Sequence, residues 1–325
     1  MFKLTVIRWN LMPLEKKFNI DFVFPYVNPG DENWRRSYNY FSSAETKYKP
    51  DTVRFRDFSL LKYIFRSIEE NAPYIDRIFM LVASESQVPQ YIRKNCPRLK
   101  IITHDQFIPK EYLPTFNSNT IEMFLPFIPD LSEHFIYSND DLIFANPSEW
   151  TDFFTPAGQL RLAYSYSKNL APTGFKYSCR TTWQAVANLF PKGIKIDNAN
   201  YQYIKQYHGA ASPRLLSDCK LCYEALEPVI KDSLTLFRNC AENINQYMYG
   251  YYSMFAKHYQ RIDNAQIGTY VSLDEKPLDE VLKIICDCRS KMLCINDTGK
   301  MTKEANSSIL KELEISFPNK SIFEN

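Results

Sequence analysis

Through the first 145 residues, short runs of β-branched and aromatic residues alternate with runs whose apolar residues recur every three or four positions, and few folds accept that alternation. "IDFVFPYV" (20–27) reads as a strand that ends in the turn-forming "NPGD" (28–31). "DFSLLKYIFRSIEENAP" (57–73) has helical spacing, with Asp57 as its N-cap and Pro73 beyond its end. "RIFMLVA" (77–83) is a buried strand, "VPQYIRKN" (88–95) a short helix and "LKIITH" (99–104) another strand, and the pattern continues to "HFIYSNDD" (134–141). Strands alternating with helices imply βαβ units and an α/β fold with a mostly parallel central sheet flanked by helices. Ligands of such sheets bind beyond the carboxyl ends of the strands. One rim therefore collects Asn28 to Asp31, Ala83 to Glu85, His104 with Asp105, and Asn139 to Asp141.

The second half is more helical. It reads as helices over 179–190, from Ser212 (cap) and Pro213 (first turn), and over 241–259, with 280–297 returning to the sheet. This gives a single unit of 325 residues: an α/β core over 18–165, a mainly helical region over 166–270, a return to the core over 271–300, and a C-terminal helix or tail over 301–325. A net charge of +2 supplies no field for duplex nucleic acid, so none is expected as a partner. Aromatic residues make up 15%, with 22 Tyr and 23 Phe, enough to pack a core and still offer rings to sugars. No run reaches the roughly 18 to 20 apolar residues of a membrane span, and Arg8, Asn10 and Pro13 interrupt the N-terminus, so an intracellular protein is expected. The 8 cysteines then read as reduced thiols; Cys219/Cys222 and Cys286/Cys288 are closely spaced, but no histidine flanks either pair to complete a zinc site. With only 8 glycines and neither glycine-rich phosphate motif present, phosphate would be held by Arg, Lys, His and metal.

The chemistry concentrates in "HFIYSNDDLIFANP" (134–147), where an apolar run halts at Asn139, Asp140 and Asp141. Consecutive strand residues point to opposite faces, so these two acids converge only if the strand ends there. Neighbouring carboxylates repel unless a cation lies between them, and hard oxygen donors suit Mg²⁺ or Mn²⁺. The bland alternative is a solvated turn. Arg54, Arg56, Lys62 and Arg66 form a cationic stretch able to grip a diphosphate, with a solvated helix face as the alternative for Lys62 and Arg56. His208, in "YHGAASP", is the best-placed general base, whereas His134 and His258 read as structural and His104 as a rim ligand or a cap. Arg238 either meets an anion near the following helix or pairs locally.

Together these stretches closely resemble the Stealth family of sugar-1-phosphate transferases, from about residue 20 to 300. The first conserved region resembles "IDFVFPYVNPGD" and the second "RFRDFSLLKYIFRSIEENAPYIDRIFMLV" continuing through "PRLKIITHDQF" to "HFIYSNDDLIF". The third resembles "HGAASPRLL" with "FRNCAENINQYMYGYYSM", and the fourth "CINDTG". The resemblance implies a Rossmann-like, GT-A-like core. It implies transfer of a sugar-1-phosphate from a nucleotide diphosphosugar, expected to be UDP-linked, to a hydroxyl of an oligosaccharide or polysaccharide acceptor, with release of a nucleoside monophosphate. Asp140, Asp141, His208 and Arg238 would be catalytic; Asp140, Asp141 and Asn296, with Asp297 beside it, would hold Mg²⁺ or Mn²⁺; and Asn28, Asp31, Arg56, Arg66, Asn117 and Asn139 would bind substrate. The base, His208 or an aspartate, stays open. Such an enzyme would work in the cytoplasm, with peripheral contact at the inner face of the membrane; oligomeric state stays open. In the first region "PYVNPG" departs from the family's Thr-Trp-Val pattern, with Tyr26 in place of Trp and Pro29 inserted. The rival readings are a metal-dependent glycosyltransferase releasing nucleoside diphosphate and a non-catalytic carbohydrate-binding protein.

Overall fold

The strands of the computed structural model are β1 Ile20–Pro25, β2 Arg77–Val82, β3 Leu99–Thr103, β4 His134–Tyr137, β5 Leu142–Phe144, β6 Leu160–Ser167, β7 Tyr203–Gln206, β8 Ser212–Leu215, β9 Tyr259–Ile262, β10 Gly268–Ser272 and β11 Met292–Asn296. The α-helices are α1 Glu32–Ala44, α2 Leu61–Asn71, α3 Ser118–Met123, α4 Gly174–Asn188, α5 Leu216–Ser233, α6 Tyr247–Phe255, α7 Asn264–Ile267, α8 Leu278–Cys286 and α9 Lys303–Ser316. The structure describes residues 15–45, 55–168, 171–192, 194, 203–297 and 299–325. Arg54 of the cationic stretch and Thr298 of "CINDTG" lie outside the described residues.

The central sheet has the order β3-β2-β1-β4-β8. Its first four strands run parallel, with Val23 opposite both Phe79 and Tyr137. Parallel strands covered on both faces carry continuous apolar runs, which is why "IDFVF" and "IFMLV" do not alternate. Phe22, Phe24, Ile78, Met80 and Leu81 are all fully buried. On α2, Phe65 meets Phe24 edge-on with ring centroids 6.1 Å apart and stacks on Phe323 at 5.1 Å. Burying such a ring stabilises the fold by about 1.5–3 kcal/mol. Two three-stranded sheets, β10-β11-β5 and β7-β6-β9, complete the architecture.

The structure corrects several local expectations. Ser212–Leu215 is an edge strand antiparallel to β4, with Pro213 opposite Ile136, and the helix starts only at Leu216. Proline lacks a donor and is tolerated on such an edge. Asp57 does not cap α2: its side chain accepts from the Ser59 N–H, and Ser59, at φ 59°, turns the chain before Leu61. Residues 88–95 form no helix, and Ile92 instead bridges to Glu324 near the C-terminus. The helix expected over 241–259 shrinks to Tyr247–Phe255, because Asn243 and Asn245 direct their side chains into buried hydrogen bonds with Ser233, Thr235 and Ser178. The return after residue 280 joins the sheet with β5 and β10, not the central one. Among the described residues no helix is long and apolar enough to cross a membrane.

Candidate active site

Strand order reverses between β1 and β4, with β2 and β3 on one side and β4 and β8 on the other. A crevice forms at such a switch point, beyond the carboxyl ends of the two strands. A cavity of about 380 Å³ opens there. Its walls include Tyr26 and Val27 after β1, Asn139 to Asp141 after β4, His208, Arg238 and Asn296.

Asp140 and Asp141 occupy the tight turn joining β4 of the central sheet to β5 of the second. Leaving one sheet for another breaks the strand at the acids, so they need not point apart. β11 lies against β5 with Cys294 opposite Leu142, and this supplies Asp141 with neighbours from far along the chain. The Ile295 N–H donates to the Asp141 carbonyl (2.9 Å), and the Cys294 thiol donates to Asp141 Oδ2 (3.4 Å). Oδ1 of Asp141 is buried and has no hydrogen-bond partner among the described residues. Asn296, at the end of β11, donates from Nδ2 to the Tyr270 hydroxyl at 2.8 Å.

His208 sits between β7 and β8, its Nδ1 3.2 Å from the Tyr247 hydroxyl. Two glycines set this loop. A Cβ on Gly209 would lie 2.7 Å from the Tyr207 ring, and a Cβ on Gly268 would lie 2.1 Å from the Gly209 carbonyl oxygen. Backbone therefore packs directly on backbone, a close approach that only glycine permits.

Burial, then the charge of Asp141, pushes the Asp140 carboxyl up to about 7. Burial also raises Asp141, against the pull of His208. His208 is lowered by burial, against the pull of Asp141. Its imidazole is thus biased toward the neutral, proton-accepting form. Ligand atoms of Asp141, His208 and Cys294 all lie within 4.8 Å of one another. Asp140 is not part of that trio.

The expected substrate groups divide. Asn139 and Arg56 line the cavity, but Arg56 grips Asp297 through two nitrogens, at 2.7 and 3.0 Å, and donates to the Met301 carbonyl. Arg66 lies elsewhere: it donates to both oxygens of Glu324 at 2.9 Å, to the Phe317 carbonyl and to Glu314. A guanidinium this fully engaged has no fork to offer a diphosphate. Asn117 is fully buried and caps α3, donating to Thr235 and Asn243, so it anchors the segment that carries Arg238. Asp31 caps α1 by accepting from the Trp34 N–H, and Asn28 accepts from Gly30 within its turn and exchanges hydrogen bonds with Gln87. None of Arg66, Asn117, Asp31 and Asn28 lines the cavity. His134, held by the Gly158 carbonyl, and His258, held by Asp218, are structural, whereas His104 is a wall residue.

Sequence reading missed Cys294 and Tyr247 as neighbours of the acid and the imidazole. It also missed the wall formed by Trp34, Phe55 and Phe116, which pack on one another with Trp34 centroids 5.1 Å from Phe55 and 5.7 Å from Phe116. The only signal for these rings was the aromatic surplus, which does not say where a ring goes.

A family profile described as Stealth protein CR2, conserved region 2, matches residues 54–162. The capsular polysaccharide phosphotransferase WcwK of Streptococcus pneumoniae is 31% identical over 94% of this chain and 99% of its own. The receptor polysaccharide phosphotransferase WefC of Streptococcus oralis is 28% identical over 94% and 99%. The exopolysaccharide phosphotransferase cps2G of Lactiplantibacillus plantarum is 27% identical over 98% and 100%. With near-complete mutual coverage at that level of identity, the chain belongs to the Stealth family.

Proposed function

We propose that the protein transfers a sugar-1-phosphate from a nucleotide diphosphosugar to a hydroxyl of an acceptor saccharide, leaving a phosphodiester and releasing nucleoside monophosphate, in the synthesis of a capsular or other cell-surface polysaccharide. One observation carries the reading. A single cavity is lined both by Asp140, Asp141, His208, Arg238 and Asn296 and by Trp34, Phe55 and Phe116. A ligand with a diphosphate at one end and a flat heteroaromatic ring at the other matches both. We take the donor to be UDP-linked, as the resemblance to the Stealth family implies.

The acceptor oxygen would bond to the phosphorus bearing the donor sugar as the bridging P–O bond to the nucleotide breaks. His208, biased toward neutrality and oriented by Tyr247, takes the hydroxyl proton. The nucleoside monophosphate leaves with the bridging oxygen and its electron pair. Arg238 supplies positive charge beside His208 and Glu122 for the phosphoryl oxygens.

The residues present fit a divalent cation. The orphaned Asp141 Oδ1 and the raised Asp140 carboxyl describe carboxylates held at a cost that a cation removes. For Mg²⁺ or Mn²⁺ the oxygen donors of Asp140, Asp141 and Asn296 would be the matching set, while the His208 imidazole and Cys294 thiol within 4.8 Å of Asp141 suit a softer ion. When bound, the cation supplies charge stabilisation on the phosphoryl oxygens and the leaving group.

The test incubates the protein with a panel of nucleotide sugars, Mg²⁺ and an acceptor glycan, and identifies the nucleotide released. Monophosphate is expected, and Asp141→Ala should abolish its release while far-ultraviolet circular dichroism is unchanged. Release of nucleoside diphosphate instead would make the protein a glycosyltransferase, and full activity of the Asp141 variant would remove the carboxylate from the site.

A further inference from the structure

We propose that the part of the cavity lined by His104 and Ser118 is a base-reading subsite, in which these two residues supply the hydrogen bonds that select the nucleobase of the donor. This rests on the nucleotide-donor reading above. His104 follows β3 and is only 7% exposed, and its Nε2 has no hydrogen-bond partner among the described residues. Ser118 opens α3, and its buried Oγ also has none. Both residues line the same cavity as Trp34, Phe55 and Phe116. Buried polar atoms without partners are uncommon because desolvation is not recovered, so two from residues lining one cavity call for a group that completes them.

The chemistry of the ligand decides which group that is. The donor sugar must lie beside His208, where the acceptor attacks the phosphorus next to it, and the phosphates must lie toward Asp140 and Asp141. The base is then the part left for the portion of the cavity lined by His104 and Ser118. A base has a flat π-face for the aromatic wall and a hydrogen-bonding edge, and proteins read single bases through these two features together. Burial pushes the His104 imidazole down to about 4, so at neutral pH its nitrogen is uncharged and either donates or accepts. A serine hydroxyl has the same freedom, and a rotation about χ1 redirects it.

The experiment titrates the wild-type protein with UMP, CMP, AMP and GMP in the presence of Mg²⁺ by calorimetry, then repeats the series with His104→Phe, His104→Gln and Ser118→Ala. Wild type should favour UMP. His104→Phe keeps the ring volume and should weaken UMP on the order of 10-fold while flattening the preference among the four nucleotides. His104→Gln should recover part of the loss, and Ser118→Ala should flatten the preference less strongly. Should His104→Phe fail to fold by thermal shift, the near-isosteric Ser118→Ala still decides. Wild-type affinity and an unchanged preference in the variants would assign both atoms to ordered water and overturn the subsite alone. No binding of any nucleotide to the wild type would overturn the donor reading, and the subsite with it.

Discussion

Replacing Arg66 by methionine should lower stability and leave turnover per folded molecule unchanged. Arg66 is 7% exposed and Glu324 5% exposed, and the two meet through a pair of parallel hydrogen bonds at 2.9 Å. Removing the cation strands a buried carboxylate with only the Ser321 N–H and hydroxyl for company. Losing one partner of such a pair typically costs about 3–5 kcal/mol. The Glu314 contact adds little, since that side chain is 47% exposed. For a chain of this size the loss corresponds to a fall in Tm of roughly 4–7 °C. Glu324→Gln should cost a comparable amount, and the double variant Arg66→Met/Glu324→Gln should recover to within about 1–2 kcal/mol of wild type, because replacing both charges removes the desolvation penalty along with the attraction. Thermal shift paired with nucleotide release, normalised to folded protein, reads both quantities. An Arg66→Met protein with wild-type Tm and no turnover would refute the reasoning and restore this side chain to the substrate.

Tyr247→Phe removes the one hydroxyl placed against His208 Nδ1. With a neutral hydrogen bond contributing about 1 kcal/mol, kcat should fall about 5-fold with donor KM unchanged, and an unchanged kcat would show that the imidazole is oriented without it. Acid should loosen the C-terminal segment before the sheet. Hydrogen bonds from Lys62 and Tyr63, in that order, hold Glu314 down at about 2, and the Arg66 and Ser321 bonds hold Glu324 below its ordinary value near 4.5 despite its burial. Carboxyls lowered by folding contribute stability that is present above about pH 4.5 and is lost as the pH falls toward their folded values. Protection of residues 303–325 against hydrogen exchange, relative to the unfolded chain at the same pH, should therefore fall as the pH drops through this range while β1 to β4 stay protected; equal protection of both at pH 3 would contradict it.

The central sheet could be read from the chain because parallel strands announce themselves as unbroken apolar runs between turn residues. β8 could not, since "SPRL" carries a serine and a proline that serve a helix start as well as a sheet edge, and only the neighbouring His134–Tyr137 decides between them. The acid pair was visible because charge interrupts an apolar run. Its surroundings were not, because Cys294 reaches Asp141 across 153 positions and nothing local in "CIND" says so. Arg66 and Asn117 match the family pattern by position, but position in a motif does not say which way a side chain faces. The partners that turn Arg66 away from the cavity, Glu314 and Glu324, lie 248 and 258 residues on.

The contact between Gly268 and the Gly209 carbonyl has a consequence for biosynthesis. The acids emerge from the ribosome with the first 141 residues, but the imidazole loop rests on a backbone made 60 residues after it, and Cys294, Asn296 and Asp297 follow later still. A partly translated chain thus owns the two carboxylates before the His208 loop has the backbone on which it packs. The cavity lined by both the acids and His208 is therefore completed only by the last third of the chain.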